Sequence, residues 1–194
     1  MMSDLAVLDG AELFALAQYD LEQHRLDQAL IKIKYMLNSD AHPEHGFAVA
    51  ARVYAQLKLF EQAIALFERF LTLQPEALNE QFQLGMVHFD TGQPSKALTI
   101  WDKLLSAHPH YPPALFYSAL VHAQSNQPEQ ADRRLEMLLQ HIPVDNLYYE
   151  KAKQLMAHLE RTRSQSKSNQ EDEQQAADSG YKWLKTDPPY GTEH

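Results

Sequence analysis

Leu26-Asp27-Gln28-Ala29, Phe60-Glu61-Gln62-Ala63, Pro94-Ser95-Lys96-Ala97 and Pro128-Glu129-Gln130-Ala131 are one phrase written four times, with its alanines 34 residues apart at every step. Pro75, Pro109 and Pro143 keep that interval, each 12 residues after its alanine, and Gln93-Pro94 returns as Gln127-Pro128. A period of this kind marks a chain of stacked supersecondary units. A second small residue precedes each alanine: Ala17, Ala51, Gly85 and Ala119. Small side chains at both places let two helices approach to about 8–10 Å. Bulky apolar residues follow at Ile33, Phe67, Trp101 and Leu135, then at Met36, Phe70, Leu104 and Leu138. Leu66, Phe67, Phe70 and Leu71 show the helical spacing of an apolar stripe. In Asp90-Thr91-Gly92-Gln93-Pro94 the glycine can stop one helix and the proline suits the first turn of the next. The closing prolines lack an amide hydrogen and restrict the residue before them, so they end the second helix of each unit.

The period and its residue pattern resemble the tetratricopeptide repeat (TPR) family, over about 70% of the chain. The resemblance implies an all-α solenoid of helical hairpins, a right-handed superhelix, with repeats at 10–43, 44–77, 78–111 and 112–145 after a lead-in at 1–9. The first repeat departs from the pattern: Ala41 holds the proline place and Pro43 lies two residues on. One hairpin cannot bury its apolar side alone, so stability is shared along the array.

Asp9 and Glu12 have the spacing of a capping box for the first helix. At the other end, Tyr148, Ala152, Leu155, Met156 and Leu159 fall on one helical face within 146–163, which reads as a solvating helix that closes the array. From 164 to 180 the composition turns polar, with twelve consecutive residues free of apolar side chains, and this stretch is expected to be a disordered linker. An aromatic tail motif follows at 181–194, carried by Tyr181, Trp183, Leu184 and Tyr190. It reads either as a leftover tail or as a docking motif that binds a partner or returns to the protein's own groove. A flexible linker of this length reaches about 20–25 Å.

In the TPR family the first helix of each repeat lines a concave groove. Carried over position by position, the resemblance implies a peptide-binding surface of Phe14, Gln18, Arg52, Phe82, Gln83, Met86, Phe89, Phe116, Tyr117 and Leu120. One TPR subtype holds the C-terminal carboxylate of heat-shock chaperones with lysine, arginine and asparagine. Here its lysine places are Phe14, Ala48, Phe82 and Phe116, so that clamp is not expected. Aromatic and methionine side chains instead suit apolar anchors on an extended or helical partner segment. The acidic, apolar-grooved character is similar to small TPR chaperones of bacterial secretion translocators, and the short-turn, proline-ended repeat has a bacterial flavour.

Composition narrows the classes further. Seventeen basic residues stand against 26 acidic ones, a net charge of −9, which disfavours a nucleic-acid or anionic-membrane partner. The 194 residues include no cysteine, which removes disulfides, thiolate metal sites and cysteine nucleophiles. The first residues do not read as a secretory signal, and no run approaches a membrane span, so a cytoplasmic protein is expected. His42/His45 and His108/His110 lie in loops without a third metal ligand. His88 and His122 share one repeat position and read as packing residues. No phosphate-binding loop or nucleophile elbow occurs. The sequence therefore points to a non-enzymatic adaptor or chaperone without metal or cofactor, which holds an apolar segment of another protein. The alternative is a self-associating scaffold, a homo-oligomer in which the aromatic tail docks in a groove of the same or a neighbouring copy.

Overall fold

The computed structural model describes residues 5, 7–38 and 45–182, with side chains as far as 165. Its nine helices among these residues are α1 (Gly10–Glu22), α2 (Leu26–Leu37), α3 (Gly46–Gln56), α4 (Phe60–Leu73), α5 (Leu78–Asp90), α6 (Pro94–Ala107), α7 (Pro112–Gln124), α8 (Pro128–His141) and α9 (Leu147–Lys182). Consecutive helices form four hairpins, and each hairpin packs on the next through its even-numbered helix. The place of Ala41 and Pro43 lies outside the described residues.

The repeated residues form the rungs of this ladder. Ala17, Ala51, Ala119 and the four phrase alanines have no exposed surface, and Gly85 is buried. Ile33, Phe67, Trp101 and Leu135 are fully buried behind them, with Met36, Phe70, Leu104 and Leu138 at most 3% exposed. The third repeat pairs the smallest residue with the largest. A Cβ added at Gly85 would lie 2.7 and 2.8 Å from Trp101 Cε2 and Cδ1, and closer still to Nε1, which donates a hydrogen bond to the Phe82 carbonyl at 3.2 Å.

Every hairpin turns in the same way. His24, Lys58, Gly92 and Asn126, again 34 apart, have φ of 56°, 59°, 73° and 56°. Each donates its N–H to the carbonyl three residues back, and the next residue donates to the carbonyl five back: Arg25 to Asp20, Leu59 to Tyr54, Gln93 to His88, Gln127 to His122. This is the Schellman arrangement, and it satisfies the last carbonyls of each odd-numbered helix. Only the third repeat uses glycine, which takes the left-handed conformation without steric cost. Pro94, Pro112 and Pro128 open their helices, while Pro75, Pro109 and Pro143 lie just past α4, α6 and α8. At α1 the capping box is complete: Glu12 N–H donates to Asp9 Oδ1 at 2.8 Å, and Asp9 N–H to Glu12 Oε2 at 2.9 Å.

The last helix differs from the sequence expectation. Residues 164–180 continue α9 as helix to Lys182, where a disordered linker was expected. The physical reason is that glutamine, glutamate, alanine and lysine are good helix formers, and neither proline nor glycine interrupts them before Gly180. Extending an anchored helix also carries no nucleation cost. The anchor is real: Ala152 and Leu159 are buried, Tyr148, Leu155 and Met156 are half-buried against α7 and α8, and Arg163 pairs with Asp132.

In the first hairpin the buried Asp20 carboxylate accepts from Arg25 Nε at 2.9 Å and Nη2 at 2.6 Å, and from Lys32 Nζ. Burial alone would raise its pKa, but the hydrogen bonds and charges of Lys32 and Arg25 together hold it below the usual range.

Two outcomes follow from these contacts. Gly85→Ala should lower stability by about 1–3 kcal/mol through overpacking against a buried indole, read by urea unfolding. Asp20→Asn should cost about 1–3 kcal/mol at neutral pH. Because the folded pKa lies below the unfolded value of about 3.9, this difference is fully present above pH 4 and fades as pH falls through the folded pKa.

Candidate functional site: the inner face of the solenoid

Helices α1 and α3 touch, as do α3 and α5, so the odd-numbered helices line the inner curve and the even-numbered ones the outer. The face they present has two zones.

Toward the C-terminus it is aromatic. Tyr117 on α7 is the hub, with ring centroids 5.6 Å from Phe82, 6.4 Å from Phe89, 6.0 Å from Trp101 and 5.4 Å from Phe116, the last nearly perpendicular at 87°. Phe116 in turn meets Tyr148 of α9 at 5.5 Å. Edge and tilted pairs at such separations are favoured by the ring quadrupoles. Burial raises the pKa of Tyr148 and of Tyr111, whose hydroxyl donates to Asn79 Oδ1 at 2.8 Å.

Between α3 and α5 the face is polar. A pocket of about 290 Å³ is lined by Arg52, Ala55, Gln56, Gln83, Met86, Val87 and Asp90. Arg52 Nε is buried without a hydrogen-bond partner. Neither Arg52 nor Asp90 takes part in an ion pair among the described residues, although both line the same pocket.

The residues expected at the groove thus separate into groups. Met86, Phe89, Phe116 and Tyr117 come together as a half-buried wall, with the half-buried Leu120 one turn past Phe116 on α7. Arg52, Gln83 and Met86 come together at the pocket. Phe82 is not on the surface: it is 7% exposed and stacks on Trp101 at 5.9 Å, so it belongs to the core beneath the wall. Phe14 and Gln18 are half-buried on α1, with Phe14 in a separate N-terminal cluster. Tyr181 lies at the end of α9, while Trp183, Leu184 and Tyr190 lie outside the described residues. Gln56 and Asp90, which the same repeat numbering places on the groove-facing side of their helices, complete the pocket.

Residues 88–159 match the tetratricopeptide repeat family. Over that stretch the chain is tetratricopeptide repeat. Three solved structures show the same right-handed solenoid at low identity. MamA from Desulfovibrio magneticus RS-1 superposes with a TM-score of 0.69 at 18% identity, over 88% of this chain and 95% of that one. YrrB, described as a TPR protein with an unusual peptide-binding site, gives 0.65 at 17%, over 75% and 74%. A further MamA structure gives 0.63 at 17%, over 67% and 76%. No curated protein matches the chain in sequence.

Other chemistry on this TPR array is sparse. Among the described residues no group of three or more His, Asp or Glu could hold a metal ion, and no helix is long and apolar enough to cross a membrane. His88 is 8% exposed with Nδ1 unpartnered, and His122, one repeat on, bonds Gln127 through Nδ1 at 2.8 Å. Burial, helped by the charge of Lys96 and opposed by Glu68, lowers the His88 pKa. A histidine whose folded pKa is depressed favours the folded state above its unfolded pKa and disfavours it below. Stability should therefore decline as pH falls from about 6.5 toward the folded value. His88→Phe should flatten that decline, measured as melting temperature against pH.

Proposed function

We propose that this TPR protein is a non-enzymatic interaction module, an adaptor or chaperone of the cytoplasm, that holds an apolar segment of a partner protein on its inner face. The observation that carries the reading is the wall of Met86, Phe89, Phe116, Tyr117 and Leu120. All five are half-buried rather than sealed, on the neighbouring odd-numbered helices α5 and α7. The Phe89 and Phe116 rings both rest on Tyr117, so a ligand finds these three already ordered and loses little entropy in binding. Aromatic and methionine side chains of this kind anchor apolar groups. The peptide-binding site named for YrrB, a protein of the same fold, is in line with this use.

The polar pocket beside the wall adds direction. A segment lying across both zones would meet apolar surface at one end and charge at the other, which fixes polarity along the groove.

Selection of random linear peptides on the full-length chain tests the reading. Apolar and aromatic sequences should be enriched, and the selected peptides should bind Leu120→Glu about tenfold more weakly or worse. Peptides with no apolar bias, or binding indifferent to that substitution, would remove the groove from the account.

A second reading, self-association through the tail, is favoured by the length of α9. At 1.5 Å per residue, the helix from Leu159, its last buried residue among those whose side chains are described, to Lys182 carries the chain about 35 Å onward.

A further inference from the structure

We propose that the pocket between α3 and α5 receives residues 183–190 of a second copy of this chain, with Asp187 at Arg52, Lys185 at Asp90, and Trp183 and Leu184 on the wall beyond Met86. This rests on the groove reading above and names its occupant.

The pocket itself defines what is missing. Arg52 on α3 and Asp90 on α5 line one cavity of about 290 Å³, yet no ion pair joins them to each other or to any described residue. A guanidinium whose Nε is buried and unpartnered is costly to leave unsatisfied. The Gln56 and Gln83 amides line the space between the two helices and can pair with main-chain groups. The complement is therefore a segment carrying an acid and a base a short distance apart. An apolar anchor must adjoin them, because Met86 belongs both to the pocket and to the aromatic cluster.

This chain carries such a segment directly after the described residues: Trp183-Leu184-Lys185-Thr186-Asp187-Pro188-Pro189-Tyr190. Lysine and aspartate stand two apart, which places them about 7 Å from one another on an extended backbone, and the apolar pair precedes them. A ligand that is acidic throughout would be repelled by Asp90, and one that is basic throughout by Arg52.

The geometry of α9 selects a second copy over the same one. The helix packs on α7 and α8, at the far end from the pocket, and then runs about 35 Å past Leu159 before the segment begins. The helix is thus anchored on the fourth repeat, whereas the pocket lies between the second and third, and the proposal assigns the segment to the pocket of another copy.

Sedimentation velocity on the full-length protein over a concentration series tests the assignment with four chains: wild type, Arg52→Glu, Asp187→Lys and the double variant. Wild type should self-associate, each single reversal should weaken association by about tenfold or more, and the double reversal should regain most of the loss. Asp187→Lys lies beyond the packed array and Arg52→Glu is checked by its circular dichroism, so recovery in the double variant reads contact rather than folding. A wild-type monomer, single variants that associate normally, or a double variant that fails to recover each overturns the inference. The peptide selection does not depend on the tail. A monomer that still selects groove-dependent apolar peptides discards the tail as occupant and keeps the groove, whereas failure of the selection discards the groove.

Discussion

The approach of two helix backbones across a pair of side chains no larger than a methyl group is the contact on which the solenoid depends. Ala17, Ala51 and Ala119 on one helix, and the four phrase alanines on the next, leave no surface exposed, and at the buried Gly85 not even a methyl group fits beside Trp101. That closeness sets the hairpin angle, and the bulky residue one turn on, Ile33, Phe67, Trp101 or Leu135, then fills the gap to the following repeat. Hairpin geometry and inter-repeat packing are thus two readings of one rung. The third repeat shows how tightly they are coupled: indole occupies the space a methyl group would need, so glycine stands there.

Much of the fold was legible because its determinants are local and repeated. The capping box at Asp9 and Glu12, the helix-opening prolines and the buried ladder follow from residue type and interval alone. The turns were only partly legible. Gly92 announces a left-handed residue and Asn126 and His24 are compatible with one, whereas Lys58 adopts the same φ with a side chain that does not advertise it, and only its register to Gly92 shows the pattern. The stretch after Arg163 was misread for a different reason. Lack of apolar residues argues against independent folding, but a helix already nucleated and anchored by Ala152 and Leu159 needs no core to continue.

The site was legible as a face and not as an arrangement. Repeat numbering selected residues of the odd-numbered helices, but it could not tell that Phe82 turns under Tyr117 into the core while Phe89 and Phe116 stay half-open. That distinction depends on Trp101, a residue of the outer helix layer. Nor could it tell that Arg52 and Asp90, in different repeats, share one cavity without touching. Such relations arise only from the rotation between successive hairpins, which no single position encodes.

Tyr117 joins parts of the array that the chain order separates. Its ring leans on Phe82, Phe89 and Trp101 of the third repeat and on Phe116 of its own, and Phe116 passes the contact to Tyr148 of the closing helix. In a linear array each unit otherwise feels only its neighbours. A guest pressing on this ring is therefore felt by two repeats and the closing helix at once. On the proposed reading, occupancy of the groove and cooperativity of the C-terminal half are one thermodynamic variable.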